Sequence, residues 1–280
     1  MRPISVKVGK EFTLIPAGCL HWPIGERDLL AAWVEELRST PHAYGILMGD
    51  SLDVARTHYR DYARSYRGDD NSQEAFDAYV TEEVGKLADV LRPVASRILG
   101  LVQGNHYWEY CDGTNTEQDL CKRLKIKYLG VMGLIQLRCH MSATHTQSLT
   151  IFAHHSGGTA GGRTTGGDVN ALTRQEHAWD ADIYLLGHTH RRIAFKEPVM
   201  QLSRCGNPPK VVERTRVFVR TGAFLKGFKD TEVPTNRKYA APYAETRAYR
   251  PTDLGWVKIH VLWREKKAGG LAYPEYTLSY

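Results

Sequence analysis

The chain has no CxxC pair, and its five cysteines, Cys19, Cys111, Cys121, Cys139 and Cys205, are an odd number spread over 280 residues. A disulfide framework is therefore not expected, and a reducing, cytoplasmic setting fits better. Also missing is any apolar run approaching the roughly eighteen residues that cross a bilayer, so no membrane association is expected. The stretch Met1 to Lys7 lacks the continuous apolar segment of a secretory leader. No internal repeat and no shift in composition divides the chain, which reads as one domain over residues 1–280 with its core at about 11–265.

What is present is ordinary for a packed protein. Hydrophobic residues make up 42% and charged residues 24%, enough to build a sizeable core and too apolar for default disorder. The net charge is +6 and the pI about 9.0, a mild basic excess that suits a phosphate-bearing partner such as a nucleotide or nucleic acid. An evenly spread basic surface would read the same way. No feature indicates an oligomer.

Hydrophobic periodicity predicts alternating strands and helices. Phe12 to Ala17, Ala43 to Met48, Ile98 to Val102 and Asp182 to Leu186 read as buried strands. Helices are expected over about Gly25 to Leu37, Gln73 to Leu91 with Pro93 just beyond its end, Thr116 to Leu124, and Asn170 to Ala178. Tyr128 to Leu137 and Ser148 to Ala153 read as a hairpin joined through the polar stretch Ser142 to Gln147. Beyond Leu186 the pattern is all-β: Val211-Val212, Val217 to Val219 and Gly255 to Trp263, with a polar surface loop at about 226–250. Strand–helix alternation followed by strands implies an α/β sandwich of two sheets.

Five short stretches carry metal-binding side chains: Cys19-Leu20-His21, Gly49-Asp50-Ser51-Leu52-Asp53, Gly104-Asn105-His106, His154-His155 and Gly187-His188-Thr189-His190. Four of them directly follow an apolar run that reads as a buried strand. Each alone is weak, since Gly-Asp after a strand is often a plain turn. Together and in this order, they describe one cluster at one edge of a sheet.

The combination resembles the calcineurin-like metallophosphoesterase superfamily, whose pattern runs Asp-x-His, Gly-Asp-x-x-Asp/Glu, Gly-Asn-His-Asp/Glu, a histidine at a strand end, and Gly-His-x-His. The matching stretch runs from Cys19 to His190. The resemblance implies a four-layer αββα sandwich of two mixed sheets flanked by helices, with two divalent metal ions (Mn, Zn, Fe or Ni) at the C-terminal ends of the strands. It implies that Asp50 bridges both metals, that Cys19, His21 and His190 complete the first site, and that Asn105, His154 and His188 complete the second. His106 then matches the catalytic acid, and Asp53 a carboxylate that orients a ligating histidine through its other ring nitrogen. The implied reaction is hydrolysis of a phosphoester by a hydroxide bridging two metals about 3.5–4 Å apart.

Two positions depart from that pattern. Cys19 stands where an aspartate is usual. A thiolate ligand there would favour Zn or Fe; a cysteine that does not bind would weaken the first site, and an empty first site would leave a binding or structural protein. Tyr107 stands where an acidic residue is usual. Of the pair His154-His155, the first after the strand is taken as the ligand and His155 as a substrate contact. Further substrate contacts are expected from Arg163 in the Gly-rich stretch Gly157 to Gly167, and from Arg56 and His58, where arginines alternate with Tyr59, Tyr62 and Tyr66. A solvated loop and a solvated helix face are the plain alternatives. The favoured activity is a phosphodiesterase on nucleotides or nucleic acid, with phosphomonoesters, including phosphoproteins, the alternative on the same site.

Overall fold

The computed structural model describes residues 3–54, 70–142, 145–155, 164–202, 208–228, 250–266 and 270–280. In chain order the elements are β1 (Ile4–Val8), β2 (Glu11–Ala17), α1 (Arg27–Ser39), β3 (Ala43–Leu47), α2 (Asp70–Leu91), β4 (Ile98–Val102), α3 (Thr116–Leu124) and β5 (Tyr128–Gly130). Then come β6 (Met132–His140), β7 (Thr146–His154), α4 (Thr165–Thr173), β8 (Ile183–Leu186), β9 (Arg192–Leu202), β10 (Val211–Thr221), β11 (Lys258–Lys266) and β12 (Gly270–Ser279). Short 3₁₀ turns follow α2 at Arg92–Arg97 and α4 at Arg174–His177.

The strands form two mixed sheets of six. One runs β1-β6-β7-β8-β10-β9, the other β12-β11-β2-β3-β4-β5. Period-two alternation decides what each strand touches. Phe12 and Leu14 of β2 and Ile46 of β3 point between the sheets, against Ile135, Leu137, Ile151, Ile183 and Val217 of the first sheet. Ile15, Ala17 and Leu47 point the other way, into a cluster with Leu30, Trp33 and Leu37 of α1, Val80, Val84 and Leu87 of α2, and Leu120 of α3. A third cluster joins Phe152, Tyr184 and Phe218 of the first sheet to Leu172 of α4. Three apolar seams thus separate four layers, the αββα sandwich implied by the motifs. Among the described residues, no helix is long and apolar enough to cross a membrane.

The structure revises several element boundaries. The expected strand Tyr128 to Leu137 is two strands in two sheets: β5 pairs with β4, and β6 pairs with β1 and β7. Gly130, at φ +79°, permits the turn between them. The helix expected near Asn170 to Ala178 begins five residues earlier, at Thr165, where Thr164 caps it by accepting the Gly167 N–H. Strands β1, β9 and β12 carry no strong pattern of their own, and β1 and β12 lie outside the expected 11–265 core. β9 and β12 contain Pro198 and Pro274 and lie at sheet edges, where a missing N–H costs no ladder bond. The expected loop at about 226–250 lies mostly outside the described residues.

The parallel strands β2, β3 and β4 end side by side, and β7 and β8 end beside them in the facing sheet. All five candidate stretches lie at those ends.

Candidate metal centre

Backbone hydrogen bonds sew the turns together. Cys19 N–H donates to Gly49 O at 2.9 Å, His21 N–H to Asp50 O at 2.9 Å and Trp22 N–H to Ser51 O at 3.0 Å, continuing the β2–β3 pairing past the strands. Gly187 N–H donates to His155 O at 2.9 Å, continuing the β7–β8 pairing, and across the sheets His188 N–H donates to Cys19 Sγ at 3.3 Å. Gly49, at φ +83°, has no space for a side chain: a Cβ there would lie 2.6 Å from Gly104 N and 2.9 Å from His155 Nδ1. Seven non-glycine residues among those described have positive φ, and five of them are Cys19, His21, Asp50, His188 and His190. Left-handed backbone costs an L-residue roughly 1–2 kcal/mol. Strain concentrated in one cluster marks a site held by its surroundings rather than by local preference.

Helices α2 and α3 hold the loops from the outer layer. Two carboxylates of α2 catch the indoles just beyond the site histidines: Glu83 Oε2 accepts Trp22 Nε1–H at 2.9 Å, and Asp77 Oδ1 accepts Trp108 Nε1–H at 2.7 Å. Asn115 and Gln118 form a capping box at the start of α3, and Thr116 Oγ1 accepts the Trp108 N–H at 3.1 Å.

Asp50 is the centre of the cluster. It is 1% exposed, and its Oδ1 accepts the N–H groups of Asn105 at 2.7 Å and His106 at 2.8 Å. Its Oδ2 faces His155 Nε2 at 3.0 Å and His21 Nε2 at 4.0 Å. Burial alone would raise its pKa, but His155, His21 and His106 outweigh burial and hold the carboxyl well below its ordinary value.

The histidines are arranged as ligands are. His155 Nδ1 lies 2.6 Å from Met48 O, which fixes the proton on Nδ1 and leaves the Nε2 lone pair facing both Asp50 Oδ2 and, at 3.0 Å, Asn105 Oδ1. Three acceptors turned toward one another need a proton or a cation between them. Burial opposes a proton on His155, yet Asp50 raises its pKa overall. His21 repeats the pattern. Its Nδ1 lies 3.2 Å from Asp53 Oδ2, and its Nε2 faces His190 Nε2 at 3.1 Å. Burial, with His21 beside it, holds His190 well below its ordinary pKa, so its ring is neutral. The ring of His188 lies 5.2 Å from that of His155, and burial with that neighbour lowers its pKa to about 4. Histidine binds metal through a ring nitrogen that carries no proton; His155 and His21 each have the other nitrogen turned to an oxygen acceptor, and His188 and His190 are held neutral. The residues present therefore fit divalent cations.

Cys19 is fully buried, and its sulfur belongs to two donor groups, Cys19–His21–His190 and Cys19–Asp50–His155, each with ligand atoms within 4.8 Å of one another. Burial and Asp50 raise its thiol pKa well above the ordinary value, against the opposing pull of the His188 N–H and Arg220. Asp53 joins His21 to His106: its Oδ2 lies 3.1 Å from His106 Nδ1 as well. Burial opposes its ionisation, but the two histidines outweigh burial and lower its pKa strongly. His106, 21% exposed, stands at the rim.

One choice made from the sequence is corrected. His155, not His154, points into the cluster. Leu149, Ile151 and Ala153 of β7 face the other sheet, so the next residue of that parity is His155, which meets Met48 and Asp50. His154 is the last residue of β7 and points with Phe152 toward the α4 side, ring centroids 6.3 Å apart. The expected substrate contacts Arg56, His58 and Arg163 lie outside the described residues.

Two buried charges went unread. Glu117, in the first turn of α3, is fully buried and faces the N–H groups of Gly104 and Ser51; burial and Asp50 raise its pKa to about 7. Arg220, at the end of β10, is also fully buried and donates to Gly187 O at 2.9 Å. The capping box of α3 is readable in the sequence, but which residue of that turn faces inward depends on the tertiary packing.

No family model matches the chain, and no curated protein matches it. Among solved structures, it is similar to vacuolar protein sorting 29 of Cryptosporidium parvum at 13% identity and TM-score 0.37, covering 96% of this chain and 98% of that one. Wild-type Vps29 of Entamoeba histolytica, in a complex with zinc, aligns at 13% identity and TM-score 0.39, covering 95% and 99%. A conserved Streptococcus pneumoniae protein described as a predicted phosphoesterase aligns at 12% identity and TM-score 0.36, covering 95% and 98%. Likeness this loose carries no argument about activity.

Proposed function

We propose that this chain is a dinuclear, metal-dependent phosphoesterase of the calcineurin-like type, a cytoplasmic single-domain hydrolase acting on a phosphodiester in a nucleotide or nucleic acid. The observation that carries the reading is the clustering of acceptors around Asp50: Oδ2 faces a tautomer-fixed His155, whose Nε2 also meets the Asn105 side-chain oxygen, and on the other side faces His21, which meets His190 and lies with it in one donor group with the Cys19 sulfur. Such a mixed imidazole, carboxylate, amide and thiol set suits Zn, Fe, Mn or Ni.

Bound cations would polarise phosphoryl oxygens and bring the pKa of a water down to about 7. The chain's own side chains supply the remainder. Asp50 and Asn105 contribute negative and partial negative charge at the floor. Asp53 fixes the ring of His21 and stands against His106 Nδ1, leaving His106 Nε2 as the group that hands a proton to the leaving oxygen. Cys19 serves both donor groups; beside a cation a thiol gives up its proton, reversing the effect of its burial. The preference for a diester rests on the basic net charge and on the Arg–Tyr content of the sequence.

The reading is tested by metal analysis of the purified protein and by hydrolysis of bis-p-nitrophenyl phosphate against p-nitrophenyl phosphate with Mn, Zn, Fe and Ni. Two metals per chain and turnover of the diester are expected. Faster turnover of the monoester would assign the site to phosphomonoesters. The absence of turnover with every metal would leave a non-catalytic binding protein.

A further inference from the structure

Arg191 follows His190 directly, and its guanidinium has no role in the centre described above. Its Nη2 lies 3.3 Å from Thr165 Oγ1, and Arg250 Nη1 lies 3.2 Å from the same oxygen. Two guanidinium groups are thus drawn to one neutral hydroxyl. Asp168, one turn further into α4, has Oδ2 at 4.0 Å from Arg191 Nε, but its Oδ1 lies 3.7 Å from Nε of the buried Arg220, and both are at most 1% exposed. A buried guanidinium needs that carboxylate to offset its own charge. Within this group, three cations face one anion, and the excess lies on the exposed side with Thr165 and Arg250. This group borders the candidate metal centre, because Arg191 adjoins His190 and Arg220 holds the Gly187 carbonyl of the same loop.

Like charges brought this close repel unless an anion joins them. Planar guanidiniums match phosphate in particular, binding it through paired N–H donors. The first turn of α4 adds partial positive charge on the same side.

We infer that Arg191 and Arg250 form an anion subsite beside the metal centre, which takes a second phosphate of the substrate next to the one attacked. The inference rests on the phosphoesterase reading for its role in turnover and narrows the substrate class to diesters that carry a neighbouring phosphate, such as an oligonucleotide.

The first test titrates inorganic phosphate by calorimetry into chelator-stripped protein, where no metal competes for the anion. Arg191→Gln and Arg250→Gln are each expected to weaken phosphate about tenfold, and the double variant to abolish measurable binding. Equal affinity in wild type and double variant overturns the subsite. Arg250 is exposed, so its variant carries the test if Arg191→Gln does not fold. The second test compares, in metal-loaded protein, a dinucleotide with and without a 3′-phosphate. The wild type should show a lower KM for the phosphorylated form, and Arg250→Gln should erase that difference through KM rather than kcat. A difference that survives in the variant overturns the inference. Where no substrate turns over, the phosphoesterase reading falls, yet the phosphate titration still decides the subsite.

Discussion

The two halves of the candidate metal centre are held by different means. Around Asn105, His155 and His188 the backbone does the holding: Met48 O fixes the His155 ring, and the Asn105 and His106 amides fix Asp50. Around Cys19, His21 and His190 a single side chain, Asp53, fixes the one anchored ring, and the third donor is a thiol whose pKa is raised. The first arrangement exists before any ion arrives, whereas the second depends on one carboxylate and on a proton leaving sulfur. The Asn105–His155–His188 half should therefore fill first and bind more tightly, and the Cys19 half should decide which metal is accepted.

The largest effect is expected at the residue shared by both halves. Asp50→Asn should empty both sites by metal analysis and lower kcat/KM by roughly a thousandfold, on the order of 4 kcal/mol. One metal retained at full occupancy would mean that Asp50 serves only one half, and the comparison would fail. Next in size is the histidine pair. His155→Gln should cost about a hundredfold in metal affinity at the tighter half, while His154→Gln should stay within about twofold of wild type. Equal losses in the two variants would contradict the parity of β7.

That pair also marks how far the sequence can be read. The alternation of Leu149, Ile151 and Ala153 is visible in it and leads to His155. The strand runs one residue past the apolar run, because His154 still pairs with Met132 and Leu186, so the first histidine belongs to the strand and the second to the site. The motifs at Asp50, Asn105 and His188 were legible because Gly-Asp, Gly-Asn-His and Gly-His-x-His keep their spacing at strand ends. Glu117 and Arg220 were not, because a charge in a helix or strand reads as solvated until tertiary packing covers it. The edge strands β9 and β12 were hidden for a related reason: their order comes from partners distant in sequence, not from their own pattern.

Two variants probe the less anchored half. Asp53→Asn should lower metal affinity at the Cys19 half by about 10–100-fold and leave the other half unchanged, as resolved by competitive chelator titration. A uniform loss at both halves would show that Asp53 does more than orient His21. Cys19→Asp should have a smaller effect on occupancy, about tenfold, but move preference from Zn or Fe toward Mn, because a carboxylate oxygen is harder than a thiolate. If metal content, preference and activity all stay the same, Cys19 is no ligand.

The smallest effect concerns stability. Glu117 lies under the backbone-held half, facing the Gly104 and Ser51 amides, with its carboxyl pKa raised from 4.5 to about 7 by burial and by Asp50. A raised folded-state pKa means that the unfolded chain releases this proton first. The group's contribution is fully present below about pH 4.5, is lost progressively as pH rises toward 7, and is constant above that. Glu117→Gln keeps the shape and one N–H acceptor but cannot ionise. In chelator-treated protein, the variant should therefore gain thermal stability over wild type as pH rises through this window, by roughly 5–10 °C at most. The gap should be flat above about pH 7. A gap that is constant across the whole range would mean that Glu117 does not titrate there, and that the backbone-held half contains no buried charge waiting to form.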